Sequence, residues 1–99
     1  MFVLDLTYTA PLDRVDAALD AHVAWLTGLY DDGVALASGR KNPREGGVII
    51  AVAKDRAEIE ALVAQDPFVT AGVATYGITE FQATKTAPQL AEFRQQLPG

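Results

Sequence analysis

Apolar residues recur along residues 12–30 at the spacing of one helix face. Leu12, Val15, Leu19, His22, Leu26 and Leu29 follow one another at steps of three and four, with Ala18 and Val23 alongside. That is the period of an amphipathic α-helix. Asp13, Arg14, Asp16, Asp20 and Thr27 fall largely on the other side. His22, the one histidine of the chain, thus sits inside the apolar stripe. Its imidazole is aimed at whatever the stripe covers. A titratable group aimed at a core is costly unless it finds a partner.

The rest of the chain alternates between strand and helix periods. In residues 2–9, Phe2, Leu4, Leu6 and Tyr8 alternate with Val3, Asp5, Thr7 and Thr9, which predicts a strand. Thr9-Ala10-Pro11 leads into the helix, and Asp31-Asp32-Gly33 stops it. Residues 34–39 read as a second strand built from small side chains. A polar loop follows over 40–47, with turn signals at Asn42-Pro43 and Gly46-Gly47. Residues 48–53 form a short β-branched run bounded by glycines, the mark of a central strand. The two strands are expected to form a hairpin.

Asp55, with Glu58 three positions later, caps a predicted helix over 56–64 that buries Ile59, Leu62 and Val63. Asp66-Pro67 breaks that helix, and 68–72 read as a turn or helical stub closed by Gly72. Residues 74–85 read as a fourth strand, with Tyr76 and Ile78 on one side and Thr75 and Phe81 on the other. A short last helix is expected over 88–96, with Leu90, Phe93 and Leu97 as its apolar contacts.

The order βαββαβ plus a short C-terminal helix predicts an α+β fold. It is the ferredoxin-like split βαβ arrangement, a single domain over 1–99 with an antiparallel sheet and two helices on one face. The third strand is apolar on both sides, through Val48, Ile50 and Val52 and through Ile49, Ala51 and Ala53. A sheet covered on one side only should be polar on the other. A second subunit on the open sheet face, hence a homodimer, is the expectation.

Composition narrows the partners. The net charge is −5, and there is no basic cluster beyond Arg40, Lys41 and Arg44. That argues against nucleic acid and disfavours an anionic membrane surface. The chain has no cysteine, which excludes disulfides, a thiolate nucleophile and a cysteine-ligated metal. The opening run is strand-like rather than a signal peptide. No window reaches the roughly 20 apolar residues of a membrane span. A cytoplasmic protein is the expectation.

Two residues carry candidate chemistry, and each has a plainer reading. Asp66 lies four positions after Leu62 and three after Val63, so it extends the buried face of the second helix. Asp before Pro is equally a cap for the following stub. His22 is equally a core histidine bonded to a backbone carbonyl. If the two meet, the carboxylate fixes the imidazole tautomer and makes a general acid/base pair. In the loop after the second strand, Ser38, Arg40 and Lys41 could bind an anionic or phenolate group of a substrate. A solvated hairpin loop is their alternative.

The chain resembles the YciI-like (YCII-related) proteins over nearly its whole length. The resemblance is carried by His22-Val23-Ala24-Trp25, by Ser38-Gly39-Arg40-Lys41-Asn42-Pro43-Arg44 leading to Gly46-Gly47-Val48-Ile49-Ile50, and by Asp66-Pro67-Phe68 with Ala71-Gly72. The final strand, with Tyr76, Thr79, Glu80 and Phe81, also fits. It implies a dimeric α+β barrel with an active site on His22 and Asp66. Most of that family has no assigned function. One characterised branch is a dehydrochlorinase acting on a chlorinated hydroxyhydroquinone without metal or organic cofactor. The expected activity is thus a cofactor-independent, metal-free lyase or isomerase acting on a small anionic or aromatic molecule. The alternative is a homodimeric module that binds such a ligand without turning it over.

Overall fold

The structure is a computed structural model that describes residues 1–97. Strand β1 (Phe2–Tyr8) is followed by helices α1 (Leu12–Ala17) and α2 (Leu19–Asp31). Strands β2 (Ala35–Arg40) and β3 (Gly46–Ala51) come next. Helices α3 (Arg56–Val63) and α4 (Pro67–Thr70), strand β4 (Ala74–Glu80) and a 3₁₀ turn (Pro88–Phe93) complete the chain. The four strands form one antiparallel sheet in the order β2-β3-β1-β4. This is the predicted split βαβ topology, and β2 and β3 form the predicted hairpin.

Register decides which side chains meet the helices. Leu4 stands opposite Ile49 and Ile78, and Leu6 stands opposite Gly47 and Tyr76. With a side-chain period of two, this row faces the helices, and Val3, Asp5, Thr7, Val48 and Ile50 face the other way. The helix side holds two packed clusters. One gathers Phe2, Leu4, Leu29, Ile49, Ala51 and Ile59; the other gathers Leu6, Val15, Phe68, Val73 and Ala74. Tyr76 packs against both. Burying each of the large side chains Phe2, Leu4, Ile59 and Phe68 contributes roughly 1.5–3 kcal/mol.

Helix ends follow the expected chemistry. The Asp55 carboxylate accepts from Glu58 N at 2.9 Å. The Glu58 carboxylate reaches back to Lys54 N at 3.4 Å, one residue short of the usual reciprocal cap. Gly33 and Gly72 take φ of 75° and 72° beyond α2 and α4, where a side chain would be strained.

Several expectations are corrected. The helix predicted over 12–30 is broken at Ala18, whose N–H donates to Val15 O three residues back at 3.0 Å. The turn tightens there because α1 follows its own anchors: Val15 is fully buried, and Asp16 pairs with Arg44 of the β2–β3 loop at 2.5 Å. Periodicity could not register the break, because Val15 and His22 keep the same face across it. Leu12 and Val23 of the apolar stripe are exposed. Strand β3 begins two residues earlier than predicted, at Gly46, and ends at Ala51. A Cβ at Gly46 would lie 1.8 Å from Leu6 O, so only glycine lets this strand start so close to β1. Strand β4 ends at Glu80, where its pairing with β1 runs out at Phe2. The last helix is a 3₁₀ turn, and Leu97 is exposed rather than packed.

Candidate active site

The site grows from one short piece of chain. Pro67 opens α4, and Asp66 caps it from the residue before. The Asp66 Oδ1 accepts from Phe68 N at 2.9 Å, which is the capping bond. The same Oδ1 lies 2.8 Å from His22 Nδ1, 44 positions away in the chain. The Oδ2 accepts from the Tyr76 hydroxyl at 2.5 Å. Capping and pairing are therefore not alternatives: one carboxylate does both. Asp66 is fully buried and His22 nearly so. A buried carboxylate needs donors on its lone pairs, and three converge here from α2, α4 and β4.

The pairing orders the imidazole. With Nδ1–H donating to Asp66, Nε2 carries the lone pair. Nε2 has no partner among the described residues. The ring lies flat on Phe68, with centroids 4.0 Å apart and planes at 10°. Phe68 is held in turn edge-on by Tyr8 at 5.8 Å. Tyr76 is fixed in its donor role: burial first, then the bond to Asp66 and its charge, push the phenol well above its ordinary range.

His22 lines a cavity of about 240 Å³ between α2, α4 and the sheet strands β1, β2 and β3. Leu6, Leu19, Leu26 and Phe68 give it apolar walls, and Ser38 and Arg40 supply polar groups. A cavity of roughly 150 Å³ holds a benzene ring, so this one has room for a ring with several substituents. The Ser38 Oγ lies 2.7 Å from the Tyr30 hydroxyl, which orients it at the rim.

The predicted residues do not all meet. His22, Ser38 and Arg40 come together around the cavity, with Asp66 buried behind His22. Lys41 does not: one position after Arg40, it points to the open sheet face, where its Nζ pairs with Asp5 at 2.6 Å. Two residues without a predicted role also belong to the site. Tyr76 reaches Asp66 from β4, and Tyr8 lines the cavity. Strand alternation puts both on the helix-covered face, but gives no hint of what their hydroxyls touch. Arg44 stacks over the Tyr8 ring, 5.8 Å from its centroid. It holds the Asp16 carboxyl below its ordinary range, chiefly through their hydrogen bond. Among the described residues there is no cluster of three His, Cys, Asp or Glu side chains able to hold a metal ion. No helix among them is long and apolar enough to cross a membrane.

Comparison with known proteins places the fold. No curated protein sequence matches the chain. Among solved structures, the fold is similar to that of TftG, a 5-chloro-2-hydroxyhydroquinone dehydrochlorinase from Burkholderia phenoliruptrix, in complex with 2,5-dihydroxybenzoquinone. The TM-score is 0.66 at 22% sequence identity, and the match covers 82% of this chain and 93% of that chain. The sequence model of the YCII-related domain matches residues 1–82, which include every strand, α1 to α4 and the whole His22–Asp66–Tyr76 cluster. The chain belongs to the YCII-related domain family.

Proposed function

We propose that the protein is a small-molecule enzyme of the lyase or isomerase type, working by proton transfer at His22. The observation that carries this reading is the buried hydrogen bond between His22 Nδ1 and Asp66, at 2.8 Å, with Nε2 left for the cavity. The Nε2 lone pair takes a proton from an acidic hydroxyl or enolisable C–H of the substrate. Asp66 then stabilises the imidazolium through the bond it already makes. The proton returns to another atom in an isomerisation, or a leaving group departs from the substrate anion in an elimination. Arg40 and Ser38 face that anion. Hydrolysis through a covalent intermediate fits less well, because no nucleophile sits beside the base among the described residues.

The size and the apolar wall of the cavity favour a planar ring carrying hydroxyl or oxo groups. The dehydrochlorination performed by TftG, a protein of the same fold, is chemistry of this kind. We extend the proposal to assembly: two copies pair through the open sheet face, where Val3, Val48 and Ile50 are only half-buried.

The test uses 5-chloro-2-hydroxyhydroquinone as substrate and 2,5-dihydroxybenzoquinone as binding probe. The wild-type protein is expected to bind the quinone and release chloride from the substrate. His22→Ala is expected to bind within a few-fold of wild type and to turn over slower by a factor of about 10²–10⁴. Binding of the quinone by both proteins, with turnover by neither, would instead support the ligand-binding module, and failure of both to bind would remove the quinone class.

A further inference from the structure

We propose that Tyr76 is a positioning residue that sets the proton affinity of the His22–Asp66 pair, a role that rests on the proton-transfer reading above. Tyr76 does not line the cavity. Its hydroxyl is spent on the one oxygen of Asp66 that His22 and the helix cap leave over. With Oδ2 held from β4 and Oδ1 shared by Phe68 N–H and His22, the carboxyl group cannot swing. The imidazole therefore meets one oxygen at one angle, and Nε2 keeps one direction into the cavity.

The same hydrogen bond draws on the charge that His22 would otherwise feel. A donor on a carboxylate stabilises the anion and makes it a weaker acceptor elsewhere. Tyr76 thus lowers the tendency of the pair to hold an extra proton, leaving Nε2 free to accept one from substrate. The phenol is suited to this work, because its burial keeps it protonated and donating throughout the range where a histidine titrates. The other ionisable groups facing the pair are few. Tyr8 from β1 and Arg40 from β2 line the same cavity, and Arg44 over Tyr8 is already matched by Asp16. Lys41 is on the opposite face with Asp5. None of these touches Asp66, so a change at the Tyr76 hydroxyl reaches His22 through the carboxylate.

Tyr76→Phe removes the hydroxyl and keeps the ring that packs against both core clusters. The His22 ring resonances are followed by NMR against pH in the ligand-free protein. The midpoint is expected to rise by about one pH unit in Tyr76→Phe, a roughly tenfold gain in proton affinity. The Nδ1–H tautomer is expected to stay dominant, because a carboxylate without the Tyr76 donor accepts more strongly from His22. A second variant carries 3-fluorotyrosine at position 76. Its more acidic phenol donates more strongly, so the midpoint should move down, with the fold undisturbed. A lower melting temperature with both midpoints unchanged would show a packing role only, and would overturn the proposal. A fall of the midpoint in Tyr76→Phe would overturn it too. The titration needs no substrate, so it separates the two ideas. Chloride release that survives His22→Ala would end the assignment of proton transfer to His22 and leave the Tyr76 coupling standing.

Discussion

The two faces of the sheet make a useful comparison. On the helix-covered face, the buried carboxylate of Asp66 has three donors, and the aromatic rings around it are stacked and edge-packed. On the open face, Val3, Val48 and Ile50 end half-buried beside threonines, glycine and an Asp5–Lys41 ion pair. The first face is finished within one chain, and the second is not. Polar groups there are exposed and cheaply satisfied by water, while the apolar row is not. On the proposed function, chemistry and assembly take opposite sides of a sheet about one residue thick. Neighbouring positions on a strand then differ completely in what a substitution does.

Ile49 and Ile50 offer the sharpest way to break this picture. Ile49 is buried against Leu4, and Ile50 faces outward beside Val3. Ile49→Lys strands an ammonium in the core and is expected to cost about 4 kcal/mol or more, leaving much of the chain unfolded by urea titration and circular dichroism. Ile50→Lys is expected to change folding stability by about 0.5 kcal/mol. Its effect should appear in sedimentation, where a wild-type dimer becomes a monomer. Equal destabilisation by the two would mean that Ile50, like Ile49, is packed within the single chain.

The next largest effect lies at the carboxylate. Asp66→Ala leaves the Phe68 N–H, the Tyr76 hydroxyl and the His22 Nδ1–H without their acceptor. Each unpaired buried group costs about 1–3 kcal/mol, but water can enter the space, so about 3 kcal/mol is expected from urea midpoints. Asp66→Asn keeps an acceptor for two of the three and should cost less. A cost under 1 kcal/mol for the alanine variant would mean that the three bonds are not holding the fold together at this corner.

How far the sequence carried this account differs by the range of the interaction. Element order, the caps at Asp55 and Asp66 and the inward direction of His22 are local facts, set by period and by residues within one or two turns. They were readable from the chain alone. The meeting of His22 with Asp66 was an inference from two stripes ending near each other, and it required the two helices to lie side by side. Tyr76 could be given a face but no partner, because its contact depends on how β4 sits against the start of α4. The break at Ala18 was hidden because it preserves the face on which Val15 and His22 lie. The orientation of Lys41 was hidden for a similar reason. An irregularity in the β2–β3 pairing between Ala35 and Ala37 sets which of the next residues look toward the helices. No local signal in the strand reports it.

That irregularity supplies the smallest and most discriminating prediction. After it, Ser38 stands opposite Ile49 and Arg40 opposite Gly47, both in the row that faces the helices. Lys41 therefore falls on the other side, although loop composition alone makes the two cations look interchangeable. Arg40→Ala is expected to weaken 2,5-dihydroxybenzoquinone binding about tenfold, as loss of one partly solvated charge-assisted contact would. Lys41→Ala is expected to leave that affinity within twofold. Its cost should be confined to the exposed ion pair with Asp5, about 0.5 kcal/mol in folding stability and less at high salt. Calorimetric titration of both variants checks the pair directly. If Lys41→Ala weakens the ligand as much as Arg40→Ala does, the cavity draws on both faces of the sheet, and the division between chemistry and assembly fails at the loop that joins β2 to β3.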